Sequence, residues 1–278
     1  MKNLIPSQLD PWEVFKNIVS AKKLDRCSRL NAISNSIRNC YENYNQNKNE
    51  LSKINMNTFN GSEIKDLEHC YNSKTQPLDR LLASITKAQP TEIRNKCQYC
   101  GIDSPNTFDH YLPISLFPEF AVYSLNLLPC CATCNGKKLN AFLLNNNERQ
   151  IVNLYFDSLP IVQYLYVNIN YHYDEPVAEY HLQQSSDISA QTFRLIETHY
   201  NRLDLLSRFQ ANSPEVFSET RSILIEHRLN VPPERISEYL LTEAQRYEKK
   251  ISKNYWRAVL LSEMANDKRF MLSCLENK

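Results

Sequence analysis

The sequence predicts an α+β fold, mainly helical, with a small cysteine-framed module embedded in it and a small β element in the C-terminal region. Three observations carry this expectation. Glycine occurs only at Gly61, Gly101 and Gly136 in 278 residues, and avoidance of the most flexible residue suits a helix-rich chain. Apolar residues recur at intervals of three and four through much of the chain, with prolines as punctuation. Cys97 and Cys100, and again Cys131 and Cys134, are separated by two residues, the spacing at which two sulfurs can face one metal ion.

Taken in order, Asp10-Pro11-Trp12-Glu13 reads as a helix start, with Asp10 as N-cap, Pro11 at the first helical position and Glu13 reaching back as in a capping box. Leu24, Leu30, Ile33, Ile37 and Tyr41 then recur at helical intervals until the polar tract 43–49 weakens the pattern. Pro77 opens another helix, with Leu78, Leu81, Leu82 and Ile85 on one face, and Pro90 closes it. Residues 1–95 thus read as a helical N-terminal region, 96–145 as the cysteine module, and 146–278 as a mostly helical α+β C-terminal domain. In that last part, 149–159 has a helical pattern, 161–173 alternates like a strand, and Pro176 with 177–182 suggests its return. Phe193, Ile196, His199, Tyr200, Leu203, Leu206 and Phe209 mark one long amphipathic helix. Pro214, Pro232 and Pro233 divide the remainder into helices, the last carrying Tyr255, Trp256, Val259, Leu260 and Met264.

With 42% hydrophobic and 23% charged residues, the chain is expected to be soluble and to bury a proper core. No apolar run approaches a membrane span, and the apolar stretch in Met1–Ser7 is too short for a signal peptide, so a cytoplasmic location is expected. Five of the nine cysteines crowd the two CxxC sites, and Cys27, Cys40, Cys70 and Cys274 are scattered in helical segments. One metal site in a reducing compartment explains this better than a disulfide framework. The net charge of +1 divides as +4 in residues 1–95 (14 basic against 10 acidic), 0 in 96–140 (3 against 3) and −3 in 141–278 (15 against 18). Tight binding to duplex DNA needs several cations against phosphates. Only Lys16, Lys22, Lys23, Arg26 and Arg29 form a compact basic cluster, so a grip on DNA is expected to need a partner or an oligomer. The basic stretch 246–257, with Tyr255 and Trp256, reads as a solvated helix face in preference to a nucleic-acid surface.

The four paired cysteines suit a closed tetrahedral Zn²⁺ site, whose full thiolate shell leaves no position for water and makes it structural. Cys130 competes with Cys131, but Cys131 completes the second CxxC and leaves Cys130 as an apolar filler. Gly101 can take the left-handed turn that the first pair needs. Between the pairs lies Phe108-Asp109-His110-Tyr111-Leu112-Pro113, followed by Asn126 and, just after Cys134, Asn135. Over residues 96–142 this pattern resembles the HNH endonucleases, the zinc-stapled branch of the ββα-metal nucleases.

That resemblance implies a strand ending in Asp109-His110, Asn126 beside a second strand, and a helix with Asn135 in its first turn. His110 would be the general base, neutral near pH 7 without burial. Asp109 would ligate a catalytic Mg²⁺ or Mn²⁺, and Asn126 would hold the His110 loop through backbone hydrogen bonds. Asn135 stands where many members carry His, and its amide oxygen favours hard cations. Lys138 completes a CNxxK pattern and, with Lys137, is expected to touch the substrate backbone. The implied activity is metal-dependent hydrolysis of DNA. Large flanks and weak net charge fit a standalone anti-phage defence nuclease working with an ATPase or another defence-system subunit. The rival is a zinc-ribbon adaptor that binds nucleic acid or protein without cutting, which leaves Asp109, His110, Asn126 and Asn135 without a purpose.

Overall fold

The computed structural model describes residues 1–56, 58–227 and 233–275. Its contacts fall into two units, one of Asn3–Tyr99 and Asp103–Ser158, the other of Leu159–Lys278 with Met1–Lys2 and Cys100–Ile102. Among the described residues no helix is long and apolar enough to cross a membrane.

The first unit begins with six helices: α1 (Pro11–Ser20), α2 (Leu24–Ala32), α3 (Ser34–Gln46), α4 (Gly61–Asn72), α5 (Gln76–Ala88) and the short α6 (Thr91–Arg94). The Asp10 carboxylate caps α1 by accepting from the Glu13 N–H at 2.8 Å. Glu13 itself turns to Lys16, at 2.6 Å, and the complete capping box belongs to Asn60 and Glu63 at the start of α4, which the sequence reading had missed. The predicted run from Leu24 to Tyr41 is two helices divided at Ile33. Leu24 is 83% exposed and contributes nothing to the core face, which is built from Leu30, Ile37, Tyr41 and Tyr44.

These rings seat the module that follows. Tyr41 lies 4.3 Å from Tyr123 between ring centroids, and Tyr44 lies 5.0 Å from Phe120. Such tilted and edge-on pairs add to the area they bury. The module comprises β1 (Thr107–His110), β2 (Leu127–Cys130) and α7 (Ala132–Lys138). The strands are antiparallel, with Thr107 opposite Cys130 and His110 opposite Leu127.

The basic cluster near the N-terminus is largely spent on structure. Lys22 is buried and donates to the carbonyls of His69 at 3.0 Å and Ser73 at 3.2 Å, which closes the C-terminal end of α4. Arg26 and Arg29 both grip the buried Asp66, at 2.7 and 2.6 Å, and hold its carboxyl below the ordinary range, with Arg29 the larger influence. The predicted helix at 149–159 does not form. Instead the Asn153 side chain accepts from the Tyr155 N–H, and Asp157 accepts from the Asn153 N–H while pairing with Arg149, so side chains compete for the backbone as in Asx turns.

In the second unit, β3 (Leu165–His172) and β4 (Glu175–Leu182) form a hairpin whose tip, Tyr173-Asp174, has positive φ at both positions, the geometry of a two-residue turn. Helices α8 (Ala190–Leu203), α9 (Leu205–His227), α10 (Pro233–Lys250), α11 (Trp256–Asn266) and α12 (Lys268–Leu275) follow. The single helix expected through Phe209 is broken at Asp204, which is left-handed at φ 53°. Pro214 lies within α9 and does not divide it. Just before Pro214, Ser213 donates to Phe209 O at 2.8 Å and Asn212 to Arg208 O at 2.7 Å, and the amide that the proline lacks is the one that Gln210 O would have accepted. Pro233 opens α10, whereas Pro232 lies outside the described residues. Tyr255 and Trp256 are buried, and Arg246 and Arg257 pair with Glu243 and Glu219.

Asn254, which carried no sequence signal, ties this unit together. Its Oδ1 accepts from the N–H groups of Tyr164 at 2.7 Å and Leu165 at 3.0 Å, and its Nδ2 donates to Val162 O at 2.9 Å. Asn254→Ala strands two buried donors, and is expected to cost about 2–4 kcal/mol, read as a lower urea midpoint at unchanged slope.

Candidate functional site

The sulfurs of Cys97, Cys100, Cys131 and Cys134 lie within 4.8 Å of one another, and all four residues are buried. A tetrahedral zinc with Zn–S bonds near 2.3 Å puts its sulfurs about 3.8 Å apart, so the cluster fits a structural zinc after small contraction. Backbone amides already point at it. The N–H of Ile102 donates to Cys100 Sγ and that of Cys134 to Cys131 Sγ, each at 3.4 Å, an arrangement that favours thiolates. Gly101 has φ +69°, and a Cβ there would meet the Tyr255 ring at 3.0 Å, so conformation favours glycine and any side chain would press on that ring. Cys130 stands apart. Its sulfur faces the Thr107 hydroxyl at 3.4 Å, outside the group of four, and burial pushes its thiol up.

The cysteine frame lies at one end of a short sheet, where Thr107 opens β1 opposite Cys130 at the close of β2. Cys131 is the N-cap of α7, Asn135 falls in that helix's first turn, and Lys138 is the helix's last residue. At the end of β1, Asp109 is buried with a donor on each oxygen, the Tyr99 hydroxyl on Oδ2 at 3.0 Å and the Lys138 ammonium on Oδ1 at 3.0 Å. Lys138 has no exposed surface and also donates to His110 O at 2.8 Å. The structure therefore corrects the expectation of a substrate-facing Lys138: its charge is drawn inward because Asp109 needs a counter-ion there. Lys137 is half-buried on the same turn.

His110 is 8% exposed, and its Nε2 lies 2.9 Å from Ala121 O. A carbonyl only accepts, so Nε2 carries the proton and the neutral ring leaves its lone pair on Nδ1. Burial pulls the imidazole down to about 4, against smaller upward pulls from the Ala121 bond and from Asp109. Neutrality at pH 7 is thus enforced by burial, where the sequence reading had expected it without. Tyr71 of α4 sets its ring edge-on against His110 at 4.5 Å and donates to Phe108 O at 3.4 Å.

Asn126 is fully buried and spans the loop between the strands, accepting from Leu112 N–H at 2.8 Å while donating to Leu112 O at 3.0 Å and Phe120 O at 3.4 Å. Asn135 donates to Thr107 Oγ1 at 3.3 Å and Phe108 O at 3.5 Å. Asp109, His110 and Asn135 line one cleft of about 750 Å³, together with Tyr71, Asn72 and Leu82 from the N-terminal helices. A carboxylate has about four lone-pair directions, so Asp109 has room for a cation beside its two donors, and the Asn135 amide that lines the same cleft offers an oxygen of the kind hard ions take.

Comparison with known proteins places this chain near two others. It is 26% identical over 186 residues to protein ea31 of Escherichia phage lambda, covering 66% of this chain and 62% of that one. It is 43% identical over 49 residues to the Septu protein PtuB of Bacillus thuringiensis, covering 16% of this chain and 19% of that one. The chain thus spans less than two thirds of either relative. No protein-family profile matches it, and no solved structure matches it.

Sequence reasoning named Asp109, His110, Asn126, Asn135 and the four cysteines, but not Tyr99, Tyr71 or the Ala121 carbonyl. Tyr99 was signalled only by its place inside the first CxxC, and Tyr71, from a distant helix, by nothing. Elemental analysis should find one zinc per chain, lost in Cys131→Ser with melting of the module, and kept in Cys130→Ala.

Proposed function

We propose that the chain is a metal-dependent endonuclease that hydrolyses phosphodiester bonds in DNA. The observation that carries this reading is the neutral His110, with its proton on Nε2 and its lone pair on Nδ1, in the cleft that Asp109 and Asn135 also line. Asp109 and Asn135 would hold a Mg²⁺ or Mn²⁺, which would supply Lewis-acid polarisation of the phosphate and relief of charge on the departing oxygen.

The remaining work falls to the chain. His110 Nδ1 takes a proton from the attacking water as its oxygen bonds to phosphorus, and the bond from phosphorus to the leaving sugar oxygen breaks. The Ala121 carbonyl holds the ring in the competent tautomer, and Asn126 fixes the loop that carries both Leu112 and Phe120. Tyr99 and Lys138 orient the Asp109 carboxylate. The buried cysteine cluster serves as frame and takes no part in the chemistry.

The setting belongs to the same proposal. Similarity to the Septu protein PtuB supports a role in anti-phage defence alongside a partner subunit, an ATPase being one form it would take. Lys22, Arg26 and Arg29, three of the five cations in the compact N-terminal cluster, are engaged within the fold, which supports dependence on a partner for holding DNA.

His110→Ala should retain zinc and lose about 1–2 kcal/mol of stability with the Ala121 bond, while plasmid cleavage in Mg²⁺ or Mn²⁺ falls by a factor on the order of hundreds. Cleavage at the wild-type rate would hand the site to the adaptor reading.

A further inference from the structure

The cleft beside Asp109 and His110 has a chemistry of its own. None of its described lining residues is Lys or Arg. Its rim instead carries the exposed amides of Asn72, Asn106 and Asn140, and its walls include Tyr71, Phe108 and Leu139. A duplex presents a dense row of phosphates that proteins meet with cations. Unpaired bases present an uncharged π-face and hydrogen-bonding edges, which proteins meet with aromatic or apolar platforms and with amides.

Leu139 adds a second, independent observation. It sits at the mouth of the cleft, directly after α7, at φ 50° and ψ −125°, a backbone region natural to glycine, and its side chain is 65% exposed. Its N–H closes α7 by donating to Asn135 O at 3.0 Å, but that needs only the backbone, and the exposed apolar side chain adds nothing to the core. Strain of this kind is stored where a site uses the side chain it presents, and apolar wedges that enter between bases are an established use.

We propose that this cleft receives an unpaired nucleobase next to the phosphate to be cut, with Leu139 as the residue that stacks on it or wedges beside it, so that the substrate is single-stranded or locally opened DNA. The inference deepens the endonuclease reading and rests on it for the position of the cut. The volume of about 750 Å³ lies in the range of small-ligand sites and holds a nucleotide. Asn72 and Asn140 offer paired donor and acceptor groups to a base edge, and Tyr71 brings α4 into the site, which makes the N-terminal helices part of substrate selection.

The test uses the full zinc-loaded chain carrying His110→Ala, so that substrate survives, with short DNA containing 2-aminopurine offered as a single strand and as a matched duplex. The expected result is binding of the single strand at least about tenfold tighter, with 2-aminopurine emission quenched by stacking. Adding Leu139→Gly, which relieves the backbone strain, should leave melting at or above that of the His110→Ala parent while single-strand affinity falls at least about fivefold. Asn72→Ala should lower it without moving the melting temperature. Equal or tighter binding of the duplex, or single-strand affinity unchanged in both variants, overturns the proposal. Failure of the endonuclease reading shows separately, as absence of cutting of either form by the wild-type chain, and in that case single-strand preference still assigns the cleft.

Discussion

The rest of the site depends on a buried ion pair. Lys138 and Asp109 meet at 3.0 Å with almost no exposure on either side chain. Removing both from water is costly, and the pair persists because further polar partners complete it, Tyr99 on the carboxylate and His110 O on the ammonium. Tyr99 sits within the first cysteine pair and Lys138 four residues beyond the second. The carboxylate is therefore gripped from both halves of the metal frame. A two-stranded sheet of four-residue strands has little stability alone. The cysteine cluster, the ion pair and the aromatic contacts to α3 supply what the hairpin lacks.

His110 shows how the same burial sets chemistry. An exposed imidazole titrates near physiological pH, whereas this one is held neutral far below it and is locked in one tautomer by a carbonyl. Both effects require the loop 111–126 to be fixed, and Asn126 is its internal brace, bonding to residues fourteen and six positions earlier. A buried asparagine with each bond made to backbone is a specifying device: exchange for an apolar residue would take from Leu112 the partners of both its N–H and its C=O, whereas Phe120 O would keep the Tyr123 N–H at 3.2 Å.

Much of this was legible in the sequence where the signal is local. Paired cysteines, Asp10 with Pro11, and the alternation around 165–182 each state their structure within a few residues. The reading failed where long-range pairing decides. Lys138 looked like a surface lysine at the end of a basic turn, and only Asp109, across the sheet, explains its burial. The helical pattern at 149–159 gave way to side chains of Asn153 and Asp157 that cap backbone groups better than a helix would. Pro214 reads locally as a break, yet α9 runs through it, since one missing backbone bond is a small part of a helix of 23 residues. Tyr71 shares no motif with His110, and the fold alone brings them together.

The central claim is that Lys138 positions Asp109 and His110 and does not touch nucleic acid. Its most direct test is the salt dependence of DNA binding by Lys138→Met against the wild-type chain, measured alongside zinc content and cleavage. Each phosphate contact contributes about 0.7 to the slope of log affinity against log salt for single strands and about 0.9 for duplex. The account predicts an unchanged slope and retained zinc with cleavage lost. A slope reduced by one contact, with cleavage retained, would contradict it.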